Sequence, residues 1–239
     1  SEDYIYKHVL NVAILSAIIA GQMGFSVGRI NLLVKSAILH DIGALKLPQL
    51  LDAEDLDDDT KEVVKKNTQE TLARYGDLDE EVPRLITQMQ ELYTSESDAE
   101  IPAALKESVN ANILYVADAY DRMTAMKSFE EPTSEVKAVR ELLADEERYN
   151  KKIVNALIHG ISILYPGVCV ELTNGEKGLV VTENEDNIFE PIVLDFRNNN
   201  LYDLSDPSVK QTVEIADVMK TMDNRIKLDK NLLEEYQAN

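Results

Sequence analysis

The strongest constraint on this chain is a change of period at Tyr165-Pro166. Upstream of that point apolar residues recur at helical spacing; downstream they alternate in short runs. Residues 4–22 carry Ile5, Val9, Val12 and Ile19 with Ala and Ser between them, which predicts a helix. "GFSVGR" interrupts it. Residues 29–42 resume the pattern with Leu32, Leu33, Ala37 and Ile38, and Gly43 is expected to cap that helix at its C-terminus. A further helix follows the acidic "LDAEDLDDDT" and should end at Gly76. Another runs through "DLDEEVPRLITQMQELY", with Asp79 as its N-cap. Single helices are predicted over about residues 104–126, through "EPTSEVKAVRELLADEE" with a Ser or Thr cap near 133–134, and through "NKKIVNALIHGISIL". After Pro166, "NGEKG" between "VCVEL" and "LVVTE" is a hairpin signal, and "NIFEPIVLDF" and "LYDL" supply further strands. The expected architecture is mainly α: a helical bundle over residues 1–164, a small β-rich appendage over 165–206 and a helical or partly ordered tail over 207–239.

Charge narrows the function classes. The 239 residues include 44 acidic and 24 basic side chains, a formal charge of −20. Such a chain lacks the basic surface that nucleic-acid backbones require. It also repels phosphorylated small molecules unless a bound cation offsets the field locally. No apolar run near 18 residues stands out, so no membrane span is expected. The opening "SEDYIYKHVL" has neither the basic start nor the apolar stretch of a signal peptide. It enters a helix directly, as expected of a domain taken from a longer protein with an upstream partner. The single cysteine, Cys169, excludes an internal disulfide framework and a cysteine-built zinc site, and fits a reducing, cytoplasmic setting.

Chemistry concentrates in "AILHDIGALKLP", where His40 and Asp41 adjoin at the end of a predicted helix. A helix C-terminus carries partial negative charge and favours a cation. The short connection between the first two helices makes them antiparallel neighbours, which can bring His8 towards the pair. Asp118 lies inside the apolar "ILYVADAY", an awkward place for an acid unless it is paired, hydrogen-bonded or ligating. Two imidazoles and two carboxylates suit one borderline divalent ion, with Fe, Mn, Ni and Zn not distinguished. The residues alone leave an alternative standing. His8 is also an ordinary helix histidine, Asp118 can pair with Arg122, and the four together can form a hydrogen-bonded polar cluster. Asp121 is expected on a solvated or polar edge, and His159 is expected to be structural.

The order His8, His40-Asp41, Asp118 resembles the HD superfamily of metal-dependent phosphohydrolases. "KHVLNVAILSAIIAGQMGF" is similar to the family's H-S-x-R-V-A opening. "AILHDIGALKLP" resembles A-L-L-H-D-I-G-K-x-x-I-P, and "ILYVADAYDRMTA" resembles I-L-x-V-A-D-x-Y-D-A-L-T. These motifs, with the β-rich stretch after Tyr165, point to the HD-GYP branch, whose active members hydrolyse cyclic di-GMP. The resemblance covers roughly residues 4–205 and implies an HD-type bundle with a metal held by His8, His40, Asp41 and Asp118. It also marks substituted pocket positions. Ala44 stands where the family has Lys, Asn67 where it has His, and Met89 and Gln90 where it has His-His. Glu91 is retained, and the Gly-Tyr-Pro signature is absent. Histidines replaced by amides and a thioether hold a second borderline cation poorly. The resemblance therefore implies a degenerate domain with one ion and impaired catalysis, binding a cyclic dinucleotide, a nucleotide or a protein partner. A living mononuclear phosphohydrolase and a metal-free output module are the alternatives. An N-terminal receiver or other regulatory module is implied by the resemblance alone.

Overall fold

A computed structural model describes residues 2–47, 58–94, 101–126 and 132–219. The acidic stretch before the third helix, residues 95–100 and 127–131, and the end of the chain from residue 220 lie outside the described residues. The described helices are α1 (Glu2–Gln22), α2 (Val27–Leu39), α3 (Asp58–Leu72), α4 (Glu81–Thr94), α5 (Ala103–Glu107), α6 (Val109–Thr124), α7 (Glu135–Ala144) and α8 (Lys151–Ile161). A 3-10 turn, Ala44–Lys46, follows α2. The chain divides into two compact units at Ile161/Ser162, with Ser134–Lys137 grouped with the second.

In the helical unit α1 packs on α2, α6 and α8, α2 also packs on α4, and α4 on α6. By length and composition Ile5–Gln22 could span a membrane, at mean hydropathy 1.3, contrary to the expectation that no such run exists. Its apolarity is used inside the bundle, where Val12, Ile19 and Ala20 are fully buried. Burying side chains the size of Val12 and Ile19 contributes about 1.5–3 kcal/mol each. A smaller cluster of Leu72, Val82 and Ile86, with Leu32, Leu39 and Ile42 against it, fixes α3 and α4 beside the end of α2. That end carries His40 and Asp41.

Several local expectations hold and three do not, the first being that α3 ends at Leu72 rather than Gly76. Asp79 accepts a hydrogen bond from the Glu81 N–H, and Ser134 accepts one from the Lys137 N–H, so both predicted caps form. The single helix over 104–126 is instead split at Ser108, whose ψ of 89° is not helical. The Asn112 side chain explains the break, because its amide donates to the Leu105 and Ser108 carbonyls and satisfies the end of α5. Gly43 is not a left-handed cap either, with φ −70°. Space requires the glycine: a Cβ there would lie 2.4 Å from the Val64 carbonyl oxygen and 2.5 Å from the Thr68 nitrogen. The turn after His40-Asp41 thus sits directly on the α3 backbone.

The second unit is an antiparallel sheet in the order β4-β3-β2-β1-β5. β1 (Cys169–Leu172) and β2 (Lys177–Thr182) are the predicted hairpin, closed at Gly175 with φ 82°. β3 (Ile192–Asp195) and β4 (Leu201–Asp203) continue it. The sheet does not stop at residue 206. A short helix, α9 (Pro207–Lys210), leads into β5 (Ile215–Val218), which pairs with β1. Ile215 is fully buried, so part of the expected tail belongs to the sheet core.

Gly43→Ala should lower stability by about 1–3 kcal/mol, because the methyl group meets backbone that cannot move aside. Gly28→Ala, whose Cβ meets open space, should change it by no more than about 1 kcal/mol. Urea midpoints of the two variants check this; equal small effects would contradict the close approach at Gly43.

Candidate metal centre

Four side chains expected from sequence converge between α1, α2 and α6. His8 and His40 are 1% and 2% exposed, and Asp118 is fully buried. His8 Nε2 lies 2.9 Å and His40 Nε2 3.1 Å from the same Asp118 oxygen, Oδ1. Asp41 Oδ2 lies 3.6 Å from His8 Nε2 and 3.5 Å from His40 Nε2. The rings are edge-on, with centroids 5.3 Å apart. His8, His40 and Asp41 alone each present a ligand atom within 4.8 Å of the others.

The far side of each imidazole fixes what the near side can do. The Ala37 carbonyl lies 2.6 Å from His40 Nδ1 and can only accept, so that nitrogen carries the hydrogen. His8 Nδ1 lies 2.6 Å from Asp121 Oδ2, and Asn11 holds the other oxygen of Asp121 at 2.8 Å. With both Nδ1 atoms donating outward, each neutral ring aims an Nε2 lone pair at carboxylate oxygens. Four lone-pair atoms at such distances repel unless positive charge lies among them. A proton can supply it, and so can a metal ion. Ligands about 2.0–2.2 Å from an ion lie about 2.8–3.6 Å from one another across octahedral and tetrahedral arrangements. The observed separations match that span, and outward Nδ1 bonds to a carboxylate and a carbonyl are the usual support for metal-bound histidines. The donor set fits one divalent ion.

Without an ion, the charges settle among the residues themselves. Burial and the Arg122 charge push the His8 imidazole down, but its hydrogen bonds to Asp118 and Asp121 outweigh them and lift its pKa from 6.5 to about 9. Burial would raise the Asp118 carboxyl; Arg122, followed by the bonds from His40 and His8, holds it well below the usual carboxylate range. Asp41 is likewise held low against burial by His40 and Arg122. Arg122 Nε donates to Asp118 Oδ2 at 2.8 Å and its Nη2 to Asp41 Oδ2 at 3.2 Å. The Tyr93 hydroxyl donates to the same Asp118 oxygen. Burial, then the Asp118 charge, pushes that phenol well above its ordinary value, so it stays a donor.

Asp121 corrects the sequence expectation. It is 4% exposed and orients His8 rather than lying on a solvated edge. Its position three residues after Asp118, on the same helix face, was the available signal. Asn11, three residues after His8, carries the same signal. Tyr93 had none, since it arrives from the far end of α4. Of the substituted positions, Gln90 places its amide 3.5 Å from the His40 carbonyl and 3.4 Å from the Thr68 hydroxyl. Met89 is a core side chain at 1% exposure. Asn67 is half-buried on α3 and offers its carbonyl to the Thr71 hydroxyl, while Thr68 beside it is fully buried. Ala44 opens the 3-10 turn, its N–H bonded to the Asp41 carbonyl, and Glu91 is half-buried on α4. His159 lies on α8 as an exposed residue.

Comparison with known proteins agrees with this geometry. Residues 5–123 match the HD domain family, a span that contains all four convergent residues. Over 97% of its length the chain is 25% identical to the cyclic di-GMP phosphodiesterase PdeB of Borreliella burgdorferi, and it covers 63% of that protein's length.

Metal-free protein should show the His8 proton in its stability. The folded pKa lies above the unfolded one, so the contribution is complete below about pH 6.5 and is lost as pH rises through about 9. Denaturation midpoints of chelator-treated protein should therefore fall between pH 6.5 and 9, and His8→Gln should flatten that fall. A wild-type profile as flat as the variant's would contradict the assignment.

Proposed function

This chain belongs to the HD superfamily of phosphohydrolases, and on that premise we propose that it is an HD-GYP-like signalling domain with a mononuclear metal site. His8, His40, Asp41 and Asp118 hold one divalent ion, and the site binds a phosphate-containing ligand of the nucleotide or cyclic-dinucleotide class with little or no turnover. The carrying observation is the cluster itself: two Nε2 atoms and two carboxylate oxygens, 2.9–3.6 Å apart in the cross-pairs, with both imidazoles anchored from behind.

Support for low turnover comes from what surrounds the cluster. Ala44, Asn67, Met89 and Gln90 replace the cation and imidazoles that the resemblance leads one to expect, and Met89 is packed into the core. A clamp of two ions on attacking and leaving oxygens then lacks its ligands. A single ion, when bound, supplies Lewis-acid polarisation and a more acidic water. The chain's own residues orient the ligands: Asp121 and Ala37 set the imidazoles, and Tyr93 and Arg122 hold Asp118. A slow mononuclear phosphohydrolase is the second reading, favoured by the completeness of that support. An upstream regulatory module and a cytoplasmic setting belong to the same proposal.

Elemental analysis of protein purified without chelator should find about one equivalent of Fe, Mn, Ni or Zn, lost in His40→Ala. Two equivalents, or none, would count against the mononuclear site. Asp121→Asn should keep the fold but weaken metal affinity about 10–100-fold, as loss of an outer partner usually does. Cyclic di-GMP should be hydrolysed barely or not at all; brisk turnover abolished by Asp41→Ala would establish the second reading instead.

A further inference from the structure

We propose that Arg122 is the phosphate-contacting cation of this site, a role that rests on the metal-site reading above and gives its ligand a second point of attachment. The register of α6 places Asp118, Asp121 and Arg122 on one helix face. Asp118 and Asp121 face the buried cluster. Arg122 reaches across its mouth, bonded through Nε to Asp118 and through Nη2 to Asp41. These two anchors come from different elements and hold a side chain that would otherwise be mobile.

Exposure gives the direction. The Arg122 side chain is 42% exposed, against 17% for Asp41, 3% for His40 and none for Asp118. Of these four it is the most exposed. A guanidinium has five N–H donors in a planar fork, and the two anchors use one each from Nε and Nη2. No bond from Nη1 is present among the described residues. The outward edge therefore offers paired donors of the kind that take two oxygens of a phosphoryl group.

Charge gives the reason. In a protein of formal charge −20, a phosphate is repelled from any site whose local balance stays negative. Asp41, Asp118 and Asp121 contribute −3, and a divalent ion would leave −1. Arg122 brings the balance to zero and removes that repulsion. The family-like turn has Ala44 in place of a lysine, so that turn cannot supply the charge, whereas Arg122 stands where the resembling motif D-x-Y-D-A-L-T has alanine. The cation has in effect moved from the turn after Asp41 to the end of α6. The ligand class is a phosphate mono- or diester, recognised at its phosphoryl oxygens.

Inorganic phosphate is the probe, titrated by calorimetry into the full chain loaded with Mn2+, with metal content measured on every sample. Wild type, Arg122→Gln and Arg122→Lys should each retain the ion. The Gln variant should bind phosphate roughly tenfold or more weakly, the loss expected for a charged hydrogen bond, and Lys should recover part of it. A Gln variant that keeps its ion and binds phosphate like wild type overturns the inference and leaves the metal site intact. Loss of the ion from the Gln variant also overturns it, by making Arg122 a holder of the carboxylates alone. So does metal-loaded wild type that takes up no phosphate. Wild type that binds no ion overturns the metal-site reading and this inference together.

Discussion

Asp118 is a carboxylate with no solvent exposure in the middle of an apolar helix, and both of its oxygens are committed. Oδ1 faces His8 and His40; Oδ2 accepts from Tyr93 and Arg122. Burying a lone carboxylate costs several kcal/mol, and partners on all sides are what make the position tenable. Those partners arrive from α1, α2, α4 and α6 itself. One buried charge thus ties together the four helices that define the bundle around it, and each must be in register for the charge to be satisfied.

The same arrangement sets up the chemistry. Asp121 and the Ala37 carbonyl take the outward hydrogens of the two imidazoles, so both Nε2 atoms turn inward. Inward-facing Nε2 atoms and carboxylate oxygens create a local excess of negative charge in an already acidic protein. A proton on His8 relieves it in part, and a divalent ion relieves it more fully. Proton and metal compete for one position, so affinity for the ion should rise as the solution becomes less acidic. Arg122 bridges the outer rim of this excess.

Much of this was legible in sequence because it depends on local pattern. The switch of period at Tyr165-Pro166 falls close to the division at Ile161/Ser162, and "NGEKG" turns the hairpin as its composition requires. Asp118 could be singled out because an acid on an apolar helix needs partners, whereas His8, His40 and Asp41 joined it chiefly through the resemblance of their motifs. What escaped has physical causes too. The break at Ser108 depends on the Asn112 amide turning back onto carbonyls, a tertiary choice that helical spacing does not reveal. β5 was hidden because Ile215–Val218 is too short to declare itself without β1 beside it. Gly43 read as a cap, but the reason for it lies in the α3 backbone, many residues later in the chain. Tyr93 reaches the site from a different helix, so no spacing announces it.

The central claim is that two imidazole nitrogens and two carboxylates share one ion. Pulsed EPR of protein loaded with a single equivalent of Mn2+ tests it most directly, because coordinated nitrogens couple to the metal spin. Two directly bound nitrogens, both lost when His8 and His40 are replaced together, are the predicted result. Manganese with no bound nitrogen, or couplings that persist in that double variant, would contradict the account.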